Sequence, residues 1–79
     1  MRVVNEIPHP ECKITIFSWN NRYLLKFELG LLEQTYKINQ YDITAESELK
    51  TLVSEDFIQK VLILFGEMEK NLNEAMAEL

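Results

Sequence analysis

The chain has 79 residues, of which 47% are apolar, and a single cysteine. That describes one small globular domain (1–79) held together by a hydrophobic core, with no internal disulfide to support it. The formal charge is −5, and it is unevenly placed: residues 1–41 carry five basic and four acidic side chains, residues 42–79 three basic and nine acidic. An acidic second half repels phosphate backbones and anionic membranes, which argues against both as partners.

Residues 1–11 read as an extended N-terminal arm. Pro8 and Pro10 fix their own φ and push Ile7 and His9 toward extended geometry. Val3, Val4 and Ile7 are placed to dock on the core or to pair briefly along a sheet edge. The arm lacks the apolar run of a signal peptide, and no stretch approaches the ~20 residues of a membrane span. With one cysteine and no leader, a reducing cytoplasm is the expected compartment.

Residues 12–19 (CKITIFSW) are β-branched and aromatic, and predict a strand. Asn20-Asn21 suits a two-residue type I′ turn, because asparagine tolerates positive φ. Residues 22–29 (RYLLKFEL) return. If Trp19 faces Arg22, then Phe17 faces Leu24, Thr15 faces Lys26 and Lys13 faces Glu28. The other face then gathers Cys12, Ile14, Ile16 and Ser18 against Leu29, Phe27, Leu25 and Tyr23. A slip of one residue would scramble both faces, so the pattern itself supports the register.

Gly30-Leu31 predicts a second tight turn of type II′, leading to a third strand over 32–38. Leu32, Gln34, Tyr36 and Ile38 then join the apolar face. Glu33 falls opposite Glu28, a like-charge pair that speaks against this register; a glycine bulge inside one long strand is the alternative. A polar connection over 39–43 follows. Asp42 or Thr44 is positioned to cap a short helix over about 45–52, with Leu49, Leu52 and Val53 on its apolar side.

From Ser54 to the end, apolar residues fall at Phe57, Val61, Leu64, Phe65, Met68, Leu72, Ala75, Met76 and Leu79. Spacings of three and four place them on one helical stripe. Ser54 can accept a hydrogen bond from a free N–H at the helix start, and Glu55 and Asp56 suit the positive end of the helix dipole. The expected architecture is therefore α+β: a three-stranded antiparallel meander, a short helix, then a long amphipathic helix packed on the sheet.

The dimensions do not balance. A helix of about 25 residues is roughly 37 Å long, whereas a strand of about eight residues spans roughly 27 Å. The last turns overshoot the sheet, yet the stripe continues through Leu72, Met76 and Leu79. A second copy is the first partner to expect, with another protein as the alternative. Fraying near Asn71 or Asn73 would remove that need.

Residues able to carry chemistry are few. His9 and Cys12 lie together in HPEC, but metal binding would require further ligands at matching spacings, and Cys12 is expected to point into the apolar face as an inert thiol beside an exposed histidine. Glu67, Glu69, Glu74 and Glu78 read as a solvated face. There is no phosphate loop, dinucleotide fingerprint or nucleophile elbow. Catalysis is not expected, and no cofactor or metal is implied.

The outer sheet face holds Phe17, Trp19 and Leu24, with Thr15, Arg22 and Lys26 around them. An aromatic patch rimmed by cations has the composition of a protein interface. A small molecule or a single-stranded nucleic acid is the competing occupant, and coverage by the arm or the short helix is the third alternative. The candidate interface is thus Phe17, Trp19 and Leu24 on the sheet, with Met68, Leu72, Met76 and Leu79 on the helix.

The run PHPECKITIFSWNNRYLLKFELGLLEQTYKI, with its PHPEC start, WNN turn and GLLEQT stretch, resembles the front half of short bacterial proteins of about this length that have no assigned function. The resemblance extends through the helical tail. It implies a free-standing small domain and brings no activity, ligand or catalytic residue.

Overall fold

The computed structural model describes residues 1–79 and contains an antiparallel meander of four strands in the spatial order β1-β2-β3-β4. The strands are β1 (Arg2–Ile7), β2 (Lys13–Trp19), β3 (Arg22–Leu29) and β4 (Leu32–Asn39). A single 3-10 turn, Gln40–Asp42, leads to α1 (Ser47–Leu52) and then to α2 (Glu55–Met76). The α+β class stands, as does a sheet followed by a short helix and then a long one, but the sheet has four strands rather than three, so the order is ββββαα and not the expected βββαα.

The additional strand is the segment read above as an arm. It pairs with β2 from Arg2 opposite Ser18 to Ile7 opposite Ile14, with one irregularity between Val3 and Asn5. That extra residue breaks the alternation by which a strand is recognised, and it lets both Val4 and Ile7 pack against the core. Pro8 and Pro10 fall just beyond β1, so they end the strand instead of preventing it.

The rest of the register matches expectation. Trp19 faces Arg22, Phe17 faces Leu24, Thr15 faces Lys26 and Lys13 faces Glu28. Asn20 and Asn21 have φ of 53° and 62°, as a type I′ turn requires. Gly30 has φ of 60° while Leu31 stays out of the left-handed region, consistent with type II′. Glu28 does sit opposite Glu33. Lys26 relieves the clash, its Nζ lying 3.0 Å from Glu28 and 3.7 Å from Glu33.

The inner face of the sheet and the helices enclose the core. Ile14, Ile16, Leu25 and Phe27 from the sheet meet Leu49 from α1 and Ile58, Val61 and Phe65 from α2. Burying each such side chain contributes about 1.5–3 kcal/mol. Phe27, Tyr36 and Phe57 form a three-ring cluster with centroids 5.4–5.9 Å apart. Gln34, buried at the boundary, donates from Nε2 to the Val61 carbonyl at 3.0 Å and accepts from the Tyr36 hydroxyl at 2.8 Å.

Ser54 caps α2 by accepting from the Phe57 N–H at 3.2 Å. The cap of α1 differs from expectation: Glu48 reaches back to accept from the N–H groups of Thr44 and Ala45, at 2.6 and 2.9 Å. The helix is also turned on its axis relative to the stripe read from sequence. Ile58 is buried, whereas Leu64 is 46% exposed, a rotation of roughly 40° at about 100° per residue. The Gln34–Val61 bond and the aromatic cluster fix that rotation, and neither is visible in the helix sequence alone.

Candidate functional site

Two apolar surfaces remain uncovered. The first is the far end of α2. The helix runs unbroken through Asn71 and Asn73 to Met76, and every residue from Glu69 to the last is exposed. Leu72 is 50% exposed, Met76 56% and Leu79 98%. At about 100° per residue these three lie on the same line as the buried Ile58, Val61 and Phe65. The stripe does not change along the helix; the sheet beneath it ends. The molecule accordingly measures 46 × 25 × 18 Å. Met68, the other helix residue expected at an interface, packs partly against the chain's own core. Where α2 passes the β3–β4 turn, Leu29–Leu32 and Leu72 border a cleft of about 340 Å³. The turn leucines were not foreseen as part of this surface; the fully exposed Leu31, an apolar residue with no polar duty in a tight turn, was the available signal.

The second surface is the outer face of the sheet. Both helices pack on the inner face, and β1 extends the sheet sideways instead of folding over it, so coverage by the chain's own segments does not occur. Cross-strand pairing aligns Val3, Phe17, Leu24 and Lys37 in one row, and Trp19, Arg22 and Asn39 in the next. Leu24 is buried among its neighbours and Phe17 is half-buried, while Val3 and Trp19 are exposed. Met1, Phe17, Leu24, Lys26, Glu33 and Thr35 border a hollow of about 210 Å³.

The two surfaces differ in charge. The outer face of the sheet holds Lys13, Arg22, Lys26 and Lys37 against Glu6, Glu28 and Glu33, with all three carboxylates in the rows toward the β3–β4 turn. Residues 66–79 hold Glu67, Glu69, Glu74 and Glu78 against Lys70 alone.

His9 and Cys12 do come close to the start of α2, but as structural groups. The His9 side chain is 7% exposed, not free in solvent as expected. Its Nδ1 accepts from the Glu11 N–H at 3.1 Å, which leaves Nε2 to face the Glu55 carboxylate at 3.3 Å. The imidazole thus ties the β1–β2 connection to the first turn of α2. The Glu55 carboxyl is held below its ordinary value by hydrogen bonds, from Gln59 chiefly and then from His9. Cys12 belongs to the core, and burial, with the Glu11 and Glu55 charges, pushes its thiol pKa up. A thiol held protonated is a poor nucleophile. No three His, Cys, Asp or Glu side chains gather in a way that could hold a metal ion, and no helix is long and apolar enough to cross a membrane.

The class these features define is a small α+β protein whose four-stranded meander is covered by helices on one face only. Comparison with models of known families, with curated proteins and with solved structures gives no significant match.

Proposed function

We propose that this protein is a non-catalytic interaction module that forms a homodimer through the projecting end of α2. The supporting observation is the unbroken line from Val61 and Phe65, which are buried, to Leu72, Met76 and Leu79, which are not. Each of those three side chains gains about 1.5–3 kcal/mol on full burial. Association itself costs about 4–15 kcal/mol in lost freedom, so the tail needs a complementary platform and not merely a chance contact.

Size-exclusion chromatography with light scattering tests the reading. The expected result is a mass of two chains in the wild type and of one chain in Leu72→Glu/Met76→Glu. A wild type that stays monomeric at high micromolar concentration overturns it.

The exposed indole of Trp19, set opposite Arg22, supports a second reading: a small-molecule or single-stranded nucleic-acid binder that uses the outer sheet face. One stacking platform is fewer than such modules use. Trp19 is the only tryptophan, so quenching of its fluorescence by short oligonucleotides or a ligand library separates this reading from the first.

A further inference from the structure

We infer that a second copy of this chain adds to the free edge of β4, the two β4 strands running antiparallel about a two-fold axis at Thr35, so that one sheet passes through both molecules. The inference rests on the self-association proposed above and adds a contact that the tail of α2 does not supply.

β4 is the last strand of the sheet and pairs with β3 alone. The backbone groups of an antiparallel strand point alternately toward one neighbour and the other. Just past β4, the Gln40 N–H bonds to the Asn21 carbonyl at 3.1 Å. The even-numbered residues of β4 therefore face β3, and Glu33, Thr35 and Lys37 present their N–H and C=O groups outward. No other segment of the chain bonds to those groups. The opposite edge is guarded: β1 has six residues with an irregularity between Val3 and Asn5, and Pro8 and Pro10 follow it. β4 has eight residues, no proline and an unbroken register with β3. An edge that long and regular invites a further strand.

The side chains decide which strand fits. With the axis at Thr35, Glu33 faces the partner's Lys37, and Lys37 faces the partner's Glu33. Both side chains are exposed on the outer face, where the neighbour of Glu33 on β3 is a like charge, Glu28. A lysine on an edge discourages an unmatched strand, but in this register it meets a carboxylate. On the inner face, Leu32 falls opposite the partner's Ile38 and Gln34 opposite the partner's Tyr36. Leu32, Tyr36 and Ile38 are only half-buried in the single chain, so the second copy adds to their cover. Other symmetric registers lose this fit. An axis at Glu33 or Lys37 sets like charges face to face, and one at Gln34 or Tyr36 leaves both charges without an opposite.

The contact also closes. The axis is perpendicular to the sheet, so both helical layers fall on the same side, and each copy's β4 edge is consumed by the other. The partner's β4 ends beside Leu32, which borders the cleft that includes Leu72. The partner's 3-10 turn, in which Tyr41 is 89% exposed, thus comes to the end of the molecule from which the tail projects. One two-fold axis is compatible with both contacts.

Dimer dissociation is measured by analytical ultracentrifugation at low salt for the wild type, Glu33→Lys, Lys37→Glu, the swap Glu33→Lys/Lys37→Glu, and Thr35→Pro. Circular dichroism checks that each is folded. Either single reversal sets like charges together at both symmetric positions and is expected to weaken the dimer about tenfold or more. The swap restores opposite pairs and is expected to return to within about threefold of the wild type. Thr35→Pro removes an outward N–H and no bond to β3, so it is expected to stay folded and to become monomeric. Single reversals or a Thr35→Pro variant that dimerise as the wild type does overturn the inference, as does a swap that stays dissociated; association through the tail then stands if Leu72→Glu/Met76→Glu is monomeric. A Leu72→Glu/Met76→Glu variant that still dimerises, beside a monomeric Thr35→Pro, keeps the β4 contact and removes that of the tail. A monomeric wild type removes both.

Discussion

Gln34 in β4 and Val61 in α2 are joined across the boundary between sheet and helix, the Gln34 amide donating to the Val61 carbonyl at 3.0 Å. The same amide accepts from the Tyr36 hydroxyl at 2.8 Å, so one buried side chain satisfies partners on both layers. Gln34→Ala removes both bonds and leaves the Tyr36 hydroxyl without its acceptor. The expected cost is about 1–3 kcal/mol, read as a lower urea midpoint with an unchanged slope. Tyr36→Phe loses one bond, and its cost is expected to be smaller.

The β2–β3 turn depends on two consecutive residues at positive φ, Asn20 and Asn21. Alanine at either position meets the Cβ–carbonyl crowding that asparagine tolerates, at a cost of about 1–2 kcal/mol. Asn21→Gly is expected to be neutral or slightly stabilising, since Asn-Gly is the favoured pair for this turn. Thermal melts of the three variants distinguish a conformational requirement, which glycine meets, from a side-chain contact, which it does not.

Lys26 neutralises the facing pair Glu28 and Glu33. Its hydrogen bond to Glu28, followed by the Glu33 and Glu28 charges, holds its pKa above the ordinary 10.5. A lysine raised in the folded state stabilises fully below its unfolded pKa and loses that effect as pH rises through the folded value. Lys26→Met is therefore expected to lower stability at neutral pH and low salt, and to flatten the alkaline fall expected of the wild type. Adding Glu33→Gln should restore much of the loss, because the uncompensated like-charge pair is then gone. Denaturation curves at neutral and strongly alkaline pH, with and without salt, measure both effects.

Cys12 is buried, and burial, together with the Glu11 and Glu55 charges, keeps its thiol protonated beyond the ordinary range. Alkylation by iodoacetamide at mildly alkaline pH is expected to run at least tenfold slower in the folded protein than in urea. The rate should rise with denaturant in step with unfolding. Equal rates in the two states would place Cys12 outside the core.

Much of the sheet was legible from particular residues. Asn20-Asn21 between two alternating runs set the β2–β3 pairing, and Gly30 set the next turn, because side chains that must alternate between core and solvent tolerate no slip. β1 was legible only as extended chain. Its irregularity at Val4 breaks the alternation, and its partner β2 is separated from it by two prolines. The candidate surfaces divide in the same way. Leu72, Met76 and Leu79 were visible as surplus stripe, whereas Val3 and the β3–β4 turn leucines join the uncovered surfaces only through pairing and proximity. His9 is a further case: nothing near it in sequence announces Glu55, 46 residues away.

Two patterns in the sequence were sufficient by themselves: a period of two through the hairpins and a spacing of three and four from Ser54 onward. Those determined the secondary structure, the inner face of the central strands and the excess length of α2, because each depends only on neighbours along the chain. The fourth strand, the rotation of α2 about its axis, the salvage of the Glu28–Glu33 pair by Lys26 and the open outer face were decided by tertiary structure. Each of these is set by contacts between segments far apart in the chain, and packing free energy among such segments is not written in any one of them.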